Sequence, residues 1–153
     1  MSTGWCLELY ASPRAVRRYV LEQMKQGRQA EILMSIVKGD LERVSFKTIV
    51  EAADAKDMLC LEGIERMRNA LAAGIVNLVN IFDPEAIVVG GEIEFAQKFL
   101  HDYLVNAIKT RTLSGDKKPV QLYFSEMGQD VQIIGAFSLV LRELFQNPGM
   151  LRK

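Results

Sequence analysis

Asn77-Leu-Val-Asn-Ile-Phe-Asp-Pro-Glu-Ala-Ile-Val-Val-Gly-Gly91 decides the architecture of this chain. It reads as the end of a long helix, a sharp stop, a short strand and a glycine turn. Pro84 has no N–H and disfavours helical backbone at Asp83, so the helix stops there. Residues 86–89 form an unbroken apolar run rich in β-branched side chains. That pattern predicts a strand covered on both faces, as in a parallel sheet. Gly90 and Gly91 then permit a tight turn and close approach of another group. A helix is expected from about Ile93. Ligands of open α/β sheets bind beyond the carboxyl ends of such strands, which makes this turn the candidate site of the chain's middle. The same parts occur in any α/β domain. No third glycine makes a dinucleotide fingerprint, and no Gly-Lys-Ser/Thr makes a phosphate loop.

Outward from that stretch, helices are expected at 13–25, 30–37, 46–53, 58–82, 95–112 and 133–145. Ser12-Pro13 and Ser45 supply N-terminal caps. The longest helix follows a polar joint at 54–57. Its Leu61, Ile64, Met67, Leu71, Ile75, Leu78 and Val79 recur at helical spacing. Ala70, Ala72, Ala73 and Gly74 form a small-residue patch on it, which suits helix packing and would also admit a ligand lying across. A second strand is expected at 120–125. Asn147-Pro148-Gly149 ends the last helix, and Gly135-Ala136 allow close approach near its start. Two strands do not make a stable sheet by themselves, and their edges would be open. The chain is therefore expected to pair with strands from elsewhere.

Composition narrows the function. The 153 residues suit one domain, spanning 1–153, with 49% hydrophobic and 25% charged residues, an ordinary globular balance. Nineteen basic and nineteen acidic residues cancel, leaving no electrostatic footprint for nucleic acid. Apolar runs are interrupted by polar residues, so no membrane span is expected. The N-terminus lacks a signal-peptide pattern, which favours the cytoplasm. Two cysteines, Cys6 and Cys60, and one histidine, His101, are too few for a disulfide framework or a closed zinc site. Cys60 reads as a buried thiol, and His101 as a rim position on an amphipathic helix.

Three segments in order carry a resemblance: Cys6-Leu-Glu-Leu-Tyr-Ala-Ser12, the 77–91 stretch, and Ile134-Gly-Ala-Phe-Ser-Leu-Val-Leu141. Together they resemble the C-terminal half of the ROK family of sugar-responsive repressors and sugar kinases. The resemblance covers essentially the whole chain. It implies an α/β fold, the helix-rich C-terminal half of an actin-like, ribonuclease-H-type ATPase fold with few strands. It places the N-terminal lobe and any DNA-binding domain outside this chain.

The resemblance also implies roles. Cys6 matches the last cysteine of the family's zinc motif, and Glu8 its sugar-contacting glutamate. Trp5 stands where glycine is usual. The other zinc ligands would precede Met1, so neither zinc nor another metal is expected here. Gly90 and Gly91 match the nucleotide-side glycines, and Gly74 and Asn77 the helix lining that cleft. Glu92 replaces the glycine that kinases carry next, and a carboxylate beside a polyphosphate repels it. No residue matches the family's phosphate loop or catalytic base, so no catalytic residue is assigned. Zinc and Mg-ATP belong only to a longer parent.

The expected role is the sugar-sensing and dimerising portion of a ROK transcriptional regulator. The alternative is the C-terminal half of an ATP-dependent sugar kinase. Expected partners are a sugar, further copies of the chain, and DNA only through an upstream domain.

Overall fold

A computed structural model of the protein describes residues 6–113, 115 and 119–125. The helix expected at 133–145, the loop before it and the tail lie outside the described residues.

Among the described residues five α-helices and two strands follow one another. They are α1 (Pro13–Lys25), α2 (Glu31–Ile36), α3 (Phe46–Asp54), α4 (Met58–Phe82), β1 (Ala86–Val89), α5 (Gln97–Arg111) and β2 (Gln121–Phe124). Short 3-10 turns occupy Leu7–Leu9, Leu41–Arg43 and Gly91–Ala96.

Local chemistry sets the ends. The Ser12 hydroxyl accepts from the Ala15 N–H at 3.2 Å, with Pro13 opening α1. Ser45 and Thr48 make a reciprocal capping box at α3, each side chain accepting the other's backbone N–H at 2.9 and 3.2 Å. Asp83 ends α4 in the left-handed region at φ 44°, and Pro84 prevents its return to helix. An α4 of 25 residues is about 37 Å long. It is the spine of the fold. α1, α3 and α5 all pack against it. Ile64, Met67, Ile75 and Val79 are buried along it.

β1 and β2 pair in parallel, with Ala86 opposite Gln121 and Val89 opposite Phe124, and α5 forms the crossover. The parallel pairing matches the sequence reading; the burial does not. Ile87 and Val89 turn inward with Leu122 and Phe124, whereas Val88 is 65% exposed. The inward side chains pack against the helical core. Among the described residues nothing covers the outer face. The segment after Gly91 also differs. Instead of entering a helix at Ile93, the chain leaves Gly91 at φ 79°, tightens into the 3-10 turn, and becomes α-helical only from Gln97. Ala96, fully buried, fits the junction between the two.

Candidate functional site

The residues assigned from sequence fall at two places in the fold. The first is the turn that carries Glu8. Tyr10 and Ala11 N–H groups donate to the Leu7 carbonyl at 3.0 and 2.8 Å, closing the turn. Arg18 Nη2 donates to the Leu9 carbonyl at 2.8 Å and ties the turn to α1. Leu7 lies on Gly74, which is buried in the middle of α4. Glu8 is exposed, and no hydrogen bond or ion pair holds its carboxylate among the described residues. The structure thus brings Glu8 and Gly74 into one neighbourhood. Asn77, one helical turn beyond Gly74, is exposed on α4.

The second place is the turn after β1. Gly90 is extended, at φ −125° and ψ 175°. Gly91 is left-handed, and a Cβ there would meet nothing within 4 Å. Glycine is needed at Gly91 for its backbone angle, and the space beside it is open. Glu92 is half-buried in the turn that follows and is engaged with a neighbour.

Beside the Glu8 turn lies a cavity of about 410 Å³ between that turn, α1 and α4. Val16, Gly63 and Met67 line it from below, and Tyr10, Arg18, Tyr19, Glu22, Arg66 and Asn69 surround it. The Arg66 guanidinium lies 4.5 Å from the Tyr19 ring centre. The Tyr19 hydroxyl donates to Glu62, which also pairs with Arg28 at 2.7 Å. Burial and then the Glu62 hydrogen bond raise the Tyr19 hydroxyl above its ordinary range. Hydrogen bonds from Arg28 and then Tyr19 hold the Glu62 carboxyl below its ordinary range. Sequence reading missed this cavity because three separate elements wall it.

Cys6 is exposed and Cys60 fully buried. Among the described residues no group of three or more His, Cys, Asp or Glu side chains is placed to share a metal ion. Cys6 alone does not fit the zinc site that the resemblance implies. His101 Nδ1 lies 2.9 Å from Asp102 Oδ1 on the outside of α5, at the edge of an open hollow with Phe95 and Lys98. Among the described residues no helix is long and apolar enough to cross a membrane.

A short parallel strand pair against a helical core, with a carboxylate turn seated on the longest helix and a glycine turn beyond the first strand, makes the described chain a helix-rich α/β protein. The sequence profile of the ROK family matches residues 2–143, and the chain belongs to that family. The DNA-binding transcriptional dual regulator NagC of Escherichia coli is 34% identical over 139 residues, covering 91% of this chain and 32% of the relative. A glucokinase of Thermotoga maritima is 28% identical over 138 residues, covering 90% of this chain and 43% of the relative. The solved structure of a ROK family glucokinase from Streptomyces griseus, in complex with glucose and AMPPNP, superposes with a TM-score of 0.74 at 26% identity, covering 88% of this chain and 44% of that one. The chain therefore spans 32 to 44% of the length of these relatives.

Proposed function

We propose that this chain is the sugar-sensing and dimerising C-terminal portion of a cytoplasmic ROK transcriptional regulator. In this reading it completes, with a lobe outside it, an actin-like fold of the ribonuclease-H type. DNA is read by a further domain outside the chain. The observation that carries the reading is Glu8, exposed and without a hydrogen-bond or ion-pair partner among the described residues, on a turn held from two sides. An ionised carboxylate accepts two hydroxyl protons at once, and such charge-assisted bonds are the strong ones. One glutamate without partners binds weakly, so the sugar site is completed by the rest of the protein. Glu92 supports the regulator over the kinase, because its carboxylate stands beside the turn where a kinase would hold polyphosphate.

The second reading is the C-terminal half of a sugar kinase. It is favoured by the open space at Gly91, where nothing lies within 4 Å of a Cβ position. In that reading Gly74, Asn77, Gly90 and Gly91 line the nucleotide side, and Mg-ATP would supply the phosphoryl group.

Titration of the full-length protein with N-acetylglucosamine and with glucose, alongside an ATP-consumption assay, separates the two. The regulator binds one of the sugars, loses that binding in Glu8→Gln, and consumes no ATP. Sugar-dependent ATP consumption would establish the kinase. Sugar binding indifferent to Glu8→Gln would remove Glu8 from the site.

A further inference from the structure

Gly74 has no room for a side chain. A Cβ built there would overlap Leu7 Cδ2, and would stand 3.2 Å from Leu7 Cδ1 and 3.4 Å from Leu7 Cγ. The overlap falls on a terminal methyl of Leu7, with Cγ at ordinary contact distance, so a methyl group at Gly74 obliges the Leu7 side chain to leave the notch by turning or by shifting. Leu7 is the first residue of the turn that carries Glu8. Its carbonyl anchors the Tyr10 and Ala11 N–H groups, so the turn moves as a unit with Leu7. None of the three residues of that turn is buried, and Leu7 itself is 45% exposed. The turn has little core to hold it. Its placement comes from the notch in α4 and from the Arg18 bond to the Leu9 carbonyl.

We propose that Gly74 is a positioning residue for Glu8: the notch it leaves in α4 seats Leu7, and through Leu7 it sets where the Glu8 carboxylate meets a bound sugar. The inference rests on the sugar-contact reading of Glu8. It gives Gly74 a role on the sugar side, apart from the nucleotide-side role the family resemblance implies. Binding groups must be held within about 0.5 Å of their productive geometry, and a turn that loses its seat on α4 holds the Glu8 carboxylate less precisely.

The test is Gly74→Ala in the full-length protein, read three ways. Titration with N-acetylglucosamine and glucose is expected to show binding weakened about 10-fold or more. Thermal stability is expected to stay level or rise, because alanine is the better residue inside a helix. Amide exchange at Tyr10 and Ala11 is expected to quicken, which reports the turn without any sugar. A loss of binding with undiminished stability is not what a merely structural glycine gives. Unchanged binding in Gly74→Ala overturns the proposal. So does weakened binding with unchanged exchange at Tyr10 and Ala11. If Glu8→Gln binds sugar like the parent, the reading of Glu8 itself has failed. The exchange data then still say whether Gly74 seats the turn.

Discussion

Asp57 Oδ2 accepts the Leu33 N–H at 3.2 Å, so the residue that begins α4 also caps α2. Leu33 lies in the first turn of α2, where backbone donors have no partner within the helix. Ala30, at the N-cap position of α2, has no side-chain oxygen to offer. Asp57 supplies it from another element. Its other oxygen accepts the Leu59 and Cys60 N–H groups at 3.1 and 3.2 Å. With 4% of its surface exposed, Asp57 is the buried charged residue of the described core. A carboxylate accepting three N–H groups at two helix N-termini is well compensated for that burial.

Asp57→Ala leaves those buried donors unsatisfied. Loss of a cap together with stranded N–H groups is expected to cost about 3 kcal/mol. Asp57→Asn keeps one acceptor but turns an amide N–H₂ toward one helix start, so about 2 kcal/mol is expected. Urea unfolding of the three proteins measures both. A cost below that of an ordinary exposed cap would show that the link to α2 contributes nothing.

Cys60 gives stability a dependence on alkaline pH. Burial, then the negative charge of Asp57 and its hydrogen bond, push the Cys60 thiol far above the ordinary thiol range. The folded state keeps the proton while the unfolded chain releases it above about pH 8.5. A folded pKa above the unfolded one means full stability below that pH, and loss as pH rises through it. At pH 9.5 the loss from this one group is about 1.4 kcal/mol. Tyr19, whose hydroxyl is also raised, adds a loss of the same sign from about pH 10. Urea midpoints between pH 8 and 10 should therefore fall more steeply for the parent than for Cys60→Ala. Equal slopes would mean that Cys60 titrates in the folded protein. A thiol reagent under native conditions should label the exposed Cys6 and leave Cys60 untouched.

The elements that could be read from sequence are those whose causes are local. The 25 residues of α4 follow from one apolar periodicity and a proline two residues past the end. Ser12 and Ser45 announce their helices because a cap and its donors lie within three residues of each other. The parallel pairing of β1 follows from its apolar, β-branched run. What escaped the reading depends on partners distant in sequence. Asp57 reads as part of a polar joint, since its α2 partner lies 24 residues away. Gly74 reads as one of several small residues, and only the fold shows that Leu7 fills its notch. The uncovered face of β1 could not be foreseen, because apolar residues on both faces of a strand promise cover without saying where it comes from. Glu8 was reached through the family resemblance alone; an exposed carboxylate in a 3-10 turn has no pattern of its own.

That uncovered face has a consequence for assembly. Val88 and Tyr123 are register partners on the outer side of the sheet, 65% and 51% exposed. Nearby in sequence, Ile81 and Phe82 at the end of α4 are each 71% exposed. Each strand also keeps an edge that no described residue pairs. Flat apolar strands with open edges associate unless charge interrupts them. This chain is therefore expected to self-associate as concentration rises. Val88→Lys with Tyr123→Lys places two cations on that face. Both positions are solvent-exposed, so stability should change by no more than about 0.5 kcal/mol each. The double variant should remain monomeric at concentrations where the parent forms dimers or larger species. Sedimentation equilibrium over a hundredfold concentration range reads the difference directly. If parent and variant sediment alike, association runs through another surface, and the outer face of the sheet has no part in it.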